Sequence, residues 1–169
     1  MPDVFSKQER SYVMSTIRSS GNRSTELRLV VVMKREGITG WRRRYRLTGK
    51  PDFVFCKERL AIFVDGCFWH GCPRCRNIPA TNEAYWVEKN ERNRVRDRLI
   101  TRSLRDKGWT VLRIWEHSLR FPRRVSNMIQ RALAASRESR RMESRPAGGK
   151  LLSVAVTNPQ KLQNYMACR

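Results

Sequence analysis

The sequence predicts a mixed α/β domain, a small sheet with helices packed on it. Three observations carry that prediction. A length of 169 residues suits one domain with a real core. Residues 41 to 64 read as an antiparallel meander of short strands joined by tight turns. Downstream, a long helical region, one alternating strand and a last helix follow in turn.

Taken in order, Ser6-Lys7-Gln8-Glu9 is a capping box that opens a first helix to about Arg18, with Tyr12, Val13 and Ile17 as its apolar face. Gly21-Asn22 breaks it. Ser24 then caps a second helix, whose Leu27, Val30, Val31 and Met33 should pack on the sheet until Gly37 stops it. Trp41 to Leu47 is a strand with a basic, wet side, and Gly49-Lys50-Pro51 turns the chain into Asp52 to Cys56. Lys57-Glu58-Arg59 is a tight connection to a third strand, Leu60 to Val64. So short a turn brings the start of one strand beside the end of the next, and Asp52 and Asp65 therefore belong at the same end of the sheet. Asn82 caps a helical region over 83 to 107, carrying Tyr85, Trp86, Val95, Leu99, Ile100 and Leu104. After Gly108, Trp109 to Trp115 is a strand that ends in Glu116-His117. A last helix over about Arg123 to Ala135 uses Val125, Met128, Ile129 and Leu133. The domain is thus expected over residues 1–135, and residues 136–169 as a basic, flexible tail in which Leu151 to Val156 leaves a strand open.

Charge narrows the partners. Lys and Arg number 36 against 15 Asp and Glu, a formal charge of +21. Such an excess repels itself unless a polyanion offsets it, which points to nucleic acid. A membrane-surface protein should instead show a long basic amphipathic helix with a Leu/Phe face, and the helices here have core-like faces. No apolar run approaches the roughly 18 residues of a membrane span, and the N-terminus is polar, so a cytosolic chain without a secretory signal is expected. In that reducing compartment the five cysteines read as ligands or free thiols.

Residues 59 to 75, RLAIFVDGCFWHGCPRC, concentrate the chemistry. Cys67, Cys72 and Cys75 offer three soft ligands. The fourth that tetrahedral zinc wants must come from His70 or His117, the only histidines, and His117 can be fixed at a strand end. Four protein ligands would make the zinc structural; the bland account is free thiols in a loop. Asp52 and Asp65 could hold Mg²⁺ against a phosphate, with His70 as general base toward water. An exposed histidine beside aromatics is the plain reading of His70, and a helix-dipole partner that of Glu26. Phe68 and Trp69, adjacent in a tied loop, can scarcely both point inward, so they and Trp86 are candidate wedges between base steps. Trp86 fits a core role nearly as well.

Four blocks, GKPDFVF, IFVDGCFWHGCP, the N-x-x-R-D of Asn93 to Asp97, and GWTVLRIWEH, resemble in order and spacing the very short patch repair endonucleases, bacterial enzymes that nick DNA at T:G mismatches. The likeness runs from about Asp3 to Leu133. It implies a restriction-endonuclease-like (PD-(D/E)XK-type) α/β fold with a mixed central sheet, Mg²⁺ at the scissile phosphate, a structural zinc, and aromatic intercalation. Asp52 resembles the family's metal-binding aspartate, with Asp65 and the Val64 carbonyl beside it, and His70 matches the proposed base. Asp97 resembles an acid that supports the base, and Glu26 one near the catalytic centre. Phe68, Trp69 and Trp86 match the intercalating aromatics, with Lys89 a DNA contact. Two departures stand out: Val64-Asp65 occupies a place where some members have Thr-His, and Cys75 and His117 stand where others exchange Cys for His. The activity so implied is a monomeric nick 5′ to the thymine of a T:G mismatch, starting repair of deaminated 5-methylcytosine. Residues 1–20 would touch DNA, mismatch-repair proteins are candidate partners, and the setting would be the bacterial cytoplasm at the nucleoid. The rivals are a nuclease of the same fold with other specificity and a zinc DNA-binding protein without catalysis.

Overall fold

Strand β3 needs two neighbours and two covered faces, because all six of its residues are buried. The computed structural model describes residues 22, 24–75, 78–80 and 82–144, together with Gln8 and Tyr12. Within it the strands β1 (Trp41–Arg42), β2 (Phe53–Phe55), β3 (Leu60–Asp65) and β4 (Thr110–Trp115) form one sheet in that order. Helices α1 (Glu26–Arg35), α2 (Glu83–Asp106) and α3 (Pro122–Ser144) flank it, and a 3-10 segment, Glu116–Arg120, joins β4 to α3.

The predicted meander is present: β1 pairs antiparallel with β2, and β2 with β3 in a register that sets Phe53 opposite Ile62. On the other side β4 lies parallel to β3, with Phe63 opposite Arg113 and Asp65 opposite Trp115. A parallel neighbour requires a crossover, and α2 supplies it. The pleat then sorts side chains by parity. Leu60, Ile62 and Val64 join Phe53, Phe55 and Ile114 against Leu29 and Met33 of α1 and Val125 and Ile129 of α3. Ala61 and Phe63 join Val54 and Val111 against Ile100 and Leu104 of α2 and Trp109. The result is a four-stranded mixed sheet between two helical layers, an arrangement that fits the restriction-endonuclease-like expectation.

Several local expectations need correction. Thr25, not Ser24, is the residue before α1, and the Ser24 hydroxyl bonds Asn22 instead. The buried face of α1 is Leu29, Val32 and Met33, whereas Leu27 and Val31 are exposed. The strand expected over Trp41 to Leu47 stops at Arg42, since Arg44 takes a positive φ of 54° that no ladder accepts; Tyr45 and Leu47 pack on the second core from a loop. Asn82, also at positive φ, makes no side-chain cap on α2, and Val95 and Leu99 of that helix face solvent. Lys107 closes α2 and Gly108, at φ +75°, turns the chain into β4 as predicted.

Helix α3 runs nine residues past Ala135, so residues 136–144, expected as the beginning of the tail, continue a helix. Arg137 binds Glu58 at 2.8 Å, Arg140 donates to the Lys57 carbonyl, and Ser136 is buried, contacts that dock this extension on the β2–β3 turn. The helix expected over Ser6 to Arg18 lies outside the described residues but for Gln8 and Tyr12, and so do residues 145–169 with the strand left open there. Among the described residues no helix is long and apolar enough to cross a membrane.

Candidate active site and metal centre

Asp52 precedes β2 and Asp65 ends β3, and the antiparallel register brings both to one end of the sheet. The Val64 N–H donates to Asp52 Oδ2 at 2.7 Å. Burial pushes the Asp52 carboxyl up from 3.8 to about 6; the Val64 hydrogen bond opposes this, and the charges of Glu26 and Asp65 add to it. Among the described residues no cationic side chain forms an ion pair with Asp52. Arg113 offsets that crowding of negative charge only in part, and a hard divalent cation would supply the rest. Glu26, buried in the first turn of α1, faces this end of the sheet and binds Arg43 at 2.6 Å, so it does more than complement a helix dipole.

Asp65 is differently occupied. Its two oxygens accept from Arg113, Nε at 2.7 Å and Nη2 at 2.6 Å, a bidentate pair from the neighbouring parallel strand. The same Nη2 reaches Asp97 Oδ1 at 3.1 Å, and the other oxygen of Asp97 meets His70 Nδ1 at 2.5 Å. Asp65 Oδ1 lies 3.9 Å from that nitrogen. Burial opposes the charge of Arg113, yet the Asp65 and Asp97 carboxylates hold its pKa above the ordinary value. With Nδ1–H given to Asp97, His70 keeps an acceptor lone pair on Nε2, the arrangement a general base needs. Asp65, His70 and Asp97 offer ligand atoms all within 4.8 Å of one another, a set that does not include Asp52.

The loop after β3 is tied by its own backbone: Cys72 N–H bonds the Cys67 carbonyl at 2.9 Å, His70 N–H that of Gly66 at 3.2 Å, and Cys67 N–H the Glu116 carboxylate at 3.2 Å. Gly71 sits at φ +60° there, where a Cβ would press the Asn90 side chain at 3.4 Å. Cys67, Cys72, Cys75 and His117 come together with ligand atoms within 4.8 Å. His117 lies in the 3-10 segment just past the strand end, and its Nδ1 is 3.2 Å from Cys67 Sγ and 3.4 Å from Cys72 Sγ. Tetrahedral zinc with bonds of about 2.0 and 2.3 Å needs S···N separations of about 3.5 Å, so the donor set and its spacing fit. Burial and the neighbouring thiols push Cys67 up to about 12, whereas Cys72, despite burial, is lowered by hydrogen bonds from the Cys75 and Arg74 backbone.

Between these two clusters the loop presents Phe68 and Trp69. Phe68 packs edge-on against Trp69 and Trp86, at 5.1 and 4.9 Å between ring centres, and the two tryptophans stand 6.0 Å apart. Trp86 is buried at 5% exposure beneath them, so in the free protein the core reading describes it. Lys89 Nζ lies over Trp86 at 5.1 Å and Trp69 at 5.4 Å. From α2, Asn93 donates to the Trp69 carbonyl at 2.7 Å, and the buried Asn90 amide, with its nitrogen turned inward, donates to the Phe68 and Trp69 carbonyls at 3.2 Å.

Residues 2–76 match the family model described as DNA mismatch endonuclease Vsr. The DNA mismatch endonuclease Vsr of Escherichia coli K12 is 38% identical over 122 residues, 71% of this chain and 77% of that protein. The type II nicking enzyme V.XorIIP of Xanthomonas oryzae pv. oryzae is 37% identical over 121 residues, 70% and 88% of the two chains.

The chain belongs to the Vsr family. A shorter match, to the type II nicking enzyme V.NaeI of Lentzea aerocolonigenes, is 54% identical over 68 residues but spans only 40% of this chain and 41% of that protein. Within this Vsr fold, the structure brings Asp52, Asp65, His70, Asp97 and Glu26 to one end of the sheet and gathers the four soft ligands beside them. Sequence reasoning missed Arg113, Arg43, Asn90 and Glu116. Arg113 lay inside GWTVLRIWEH as a charge in a strand of mostly apolar residues, the one signal that could have drawn attention to it.

Proposed function

We propose that this endonuclease hydrolyses the phosphodiester 5′ to the thymine of a T:G mismatch in duplex DNA, cutting one strand with Mg²⁺. The observation that carries the reading is His70, 2.5 Å from Asp97 of α2 and carried on a loop that also presents Phe68 and Trp69. One element thus bears both the base and the groups that would test a base pair. Asp52 and the Val64 carbonyl would hold the metal, since a strand residue directs its C=O to the same side as the N–H that already binds Asp52. Bound there, Mg²⁺ would polarise the phosphoryl oxygen and lower the pKa of the attacking water. Asp65 and Glu26 add negative charge to the same space. His70 Nε2 accepts the proton of the nucleophile while Asp97 stabilises the imidazolium so formed.

Cys67, Cys72, Cys75 and His117 would hold a structural zinc, whose role is to fix the loop. Phe68, Trp69 and Trp86 would enter the stack at a weakened pair, with Lys89 at the phosphates, which requires the three rings to part from their mutual packing. The basic excess supplies the rest of the grip, and the N-terminal segment adds to it. The relatives named as a mismatch endonuclease and as nicking enzymes support a single-strand cut. A monomer acting in the cytoplasm, with mismatch-repair proteins as partners, completes the reading. The test is a panel of methylation-site duplexes bearing each mismatch, incubated with Mg²⁺ or with chelator. Nicking confined to T:G and lost on chelation is the expected result; equal cutting of matched duplex removes the mismatch reading.

A further inference from the structure

Asp65 was expected among the metal ligands, but its surroundings assign it other work. Each of its oxygens already accepts a guanidinium N–H from Arg113, and a divalent cation bound to Asp65 would stand beside that guanidinium, like charge against like. Arg113 is itself rigidly placed. It lies opposite Phe63 in the parallel ladder, and its guanidinium carbon stacks over the Phe63 ring at 4.9 Å from the centre. From there Nη2 spans to Asp97, on α2, at 3.1 Å. The chain of contacts therefore runs Asp65, Arg113, Asp97, His70, and it links the sheet to the helix at the point where the base is held.

We propose that Arg113 is the positioning residue of this site: clamped by Asp65, it holds Asp97 and through it the His70 imidazole, and Asp65 acts on the reaction through Arg113. Without the guanidinium, the Asp97 carboxylate would lose the contact that fixes its orientation, and the His70 Nδ1–H its fixed acceptor. With it, one oxygen of Asp97 is engaged and the other is aimed at Nδ1, so the tautomer with a free Nε2 is the one selected. The proposal rests on His70 being the base, as argued above, but its first readout does not.

That readout is the nitrogen spectrum of the histidines in the zinc-loaded full chain without Mg²⁺ or DNA. Only two histidines exist, and His117 faces the thiols, so the two signals separate. In the parent protein His70 is expected as one tautomer, protonated at Nδ1. Arg113→Met and Asp65→Asn should each give a mixture, and Arg113→Lys, which keeps the charge but loses the fork, should lie between; the lysine variant alone decides if the methionine variant does not fold. Single-turnover nicking of a T:G duplex is the second readout. Arg113→Met and Asp65→Asn are each expected to slow it by about 30-fold, with no further loss in the double variant and with Mg²⁺ half-saturation and duplex affinity unchanged within about twofold. An Asp65→Asn variant that raises the Mg²⁺ half-saturation tenfold while the His70 spectrum stays unmoved makes Asp65 a direct ligand and overturns the proposal. So does a spectrum left unchanged by all three substitutions. A parent enzyme that does not nick T:G duplex would remove the proposed function, and the spectrum would still decide the role of Arg113.

Discussion

Asp52→Asn should stabilise the metal-free protein at neutral pH while destroying its response to Mg²⁺. The carboxyl titrates at about 6 in the folded chain against an ordinary 3.8, because burial and the nearby acids disfavour its charge. The folded state thus holds the proton longer than the unfolded state. Any stability tied to this group is present below pH 3.8 and is lost as the pH rises through 6. The full rise corresponds to about 3 kcal/mol at pH 7.5 and to about 1.5 kcal/mol at pH 5. Asparagine carries no charge and keeps an oxygen for the Val64 N–H, so the variant should gain up to about those amounts. Urea denaturation of the zinc-loaded, Mg²⁺-free proteins at the two pH values measures the gain. Adding Mg²⁺ should then raise the midpoint of the parent and leave that of the variant where it was. A variant less stable than the parent by the same amount at both pH values, or one that Mg²⁺ still stabilises, would refute the reasoning.

Other outcomes follow from the same geometry. His70→Ala should lower single-turnover nicking by about 10²- to 10⁴-fold with duplex affinity unchanged, as befits a group that acts on a proton in the transition state; a parallel loss of binding in a filter assay would argue for a DNA contact instead. Trp69→Ala removes one stacking surface, worth about 1–3 kcal/mol per base, and should cut the preference for T:G over matched duplex by about tenfold or more, read by competition binding. Zinc removal by a chelator that spares Mg²⁺ should release the loop holding Phe68, Trp69 and His70, so that nicking and the buried-tryptophan emission of Trp86 are lost together and return together on zinc addition. Cys72→Ser should mimic the chelator, with near-zero zinc by atomic absorption.

The loop chemistry was legible because its inventory of soft donors is small. Three thiols at close spacing and only two histidines leave few ways to build a soft site, and the structure assembles Cys67, Cys72, Cys75 and His117. The meander was legible for a similar reason: turns as short as Lys57-Glu58-Arg59 admit one pairing, with Arg59 at φ +53° closing it. Helix faces were less so. On α1 six apolar residues offer overlapping stripes, and the positions that bury, Leu29, Val32 and Met33, depend on where the sheet lies. On α2 a polar residue, Asn90, is buried to hold the loop carbonyls while Leu99 is exposed. The extension of α3 past Ala135 comes from the docking of Arg137 and Arg140 on the turn after β2, contacts about 80 residues apart in the chain that no local pattern announces.

By itself the sequence determined the family, the antiparallel order of β1, β2 and β3 and which soft donors come together, since each is written in motifs, short turns and a small inventory of ligating side chains. Only the tertiary structure decided what Asp65 touches. The parallel pairing of β3 with β4 sets Arg113 opposite Phe63, on the face that α2 covers, and there the guanidinium meets both Asp65 and Asp97. Parallel register arises from the crossover that joins the strands and from the packing of both sheet faces, long-range terms to which a reading of neighbouring residues has no access.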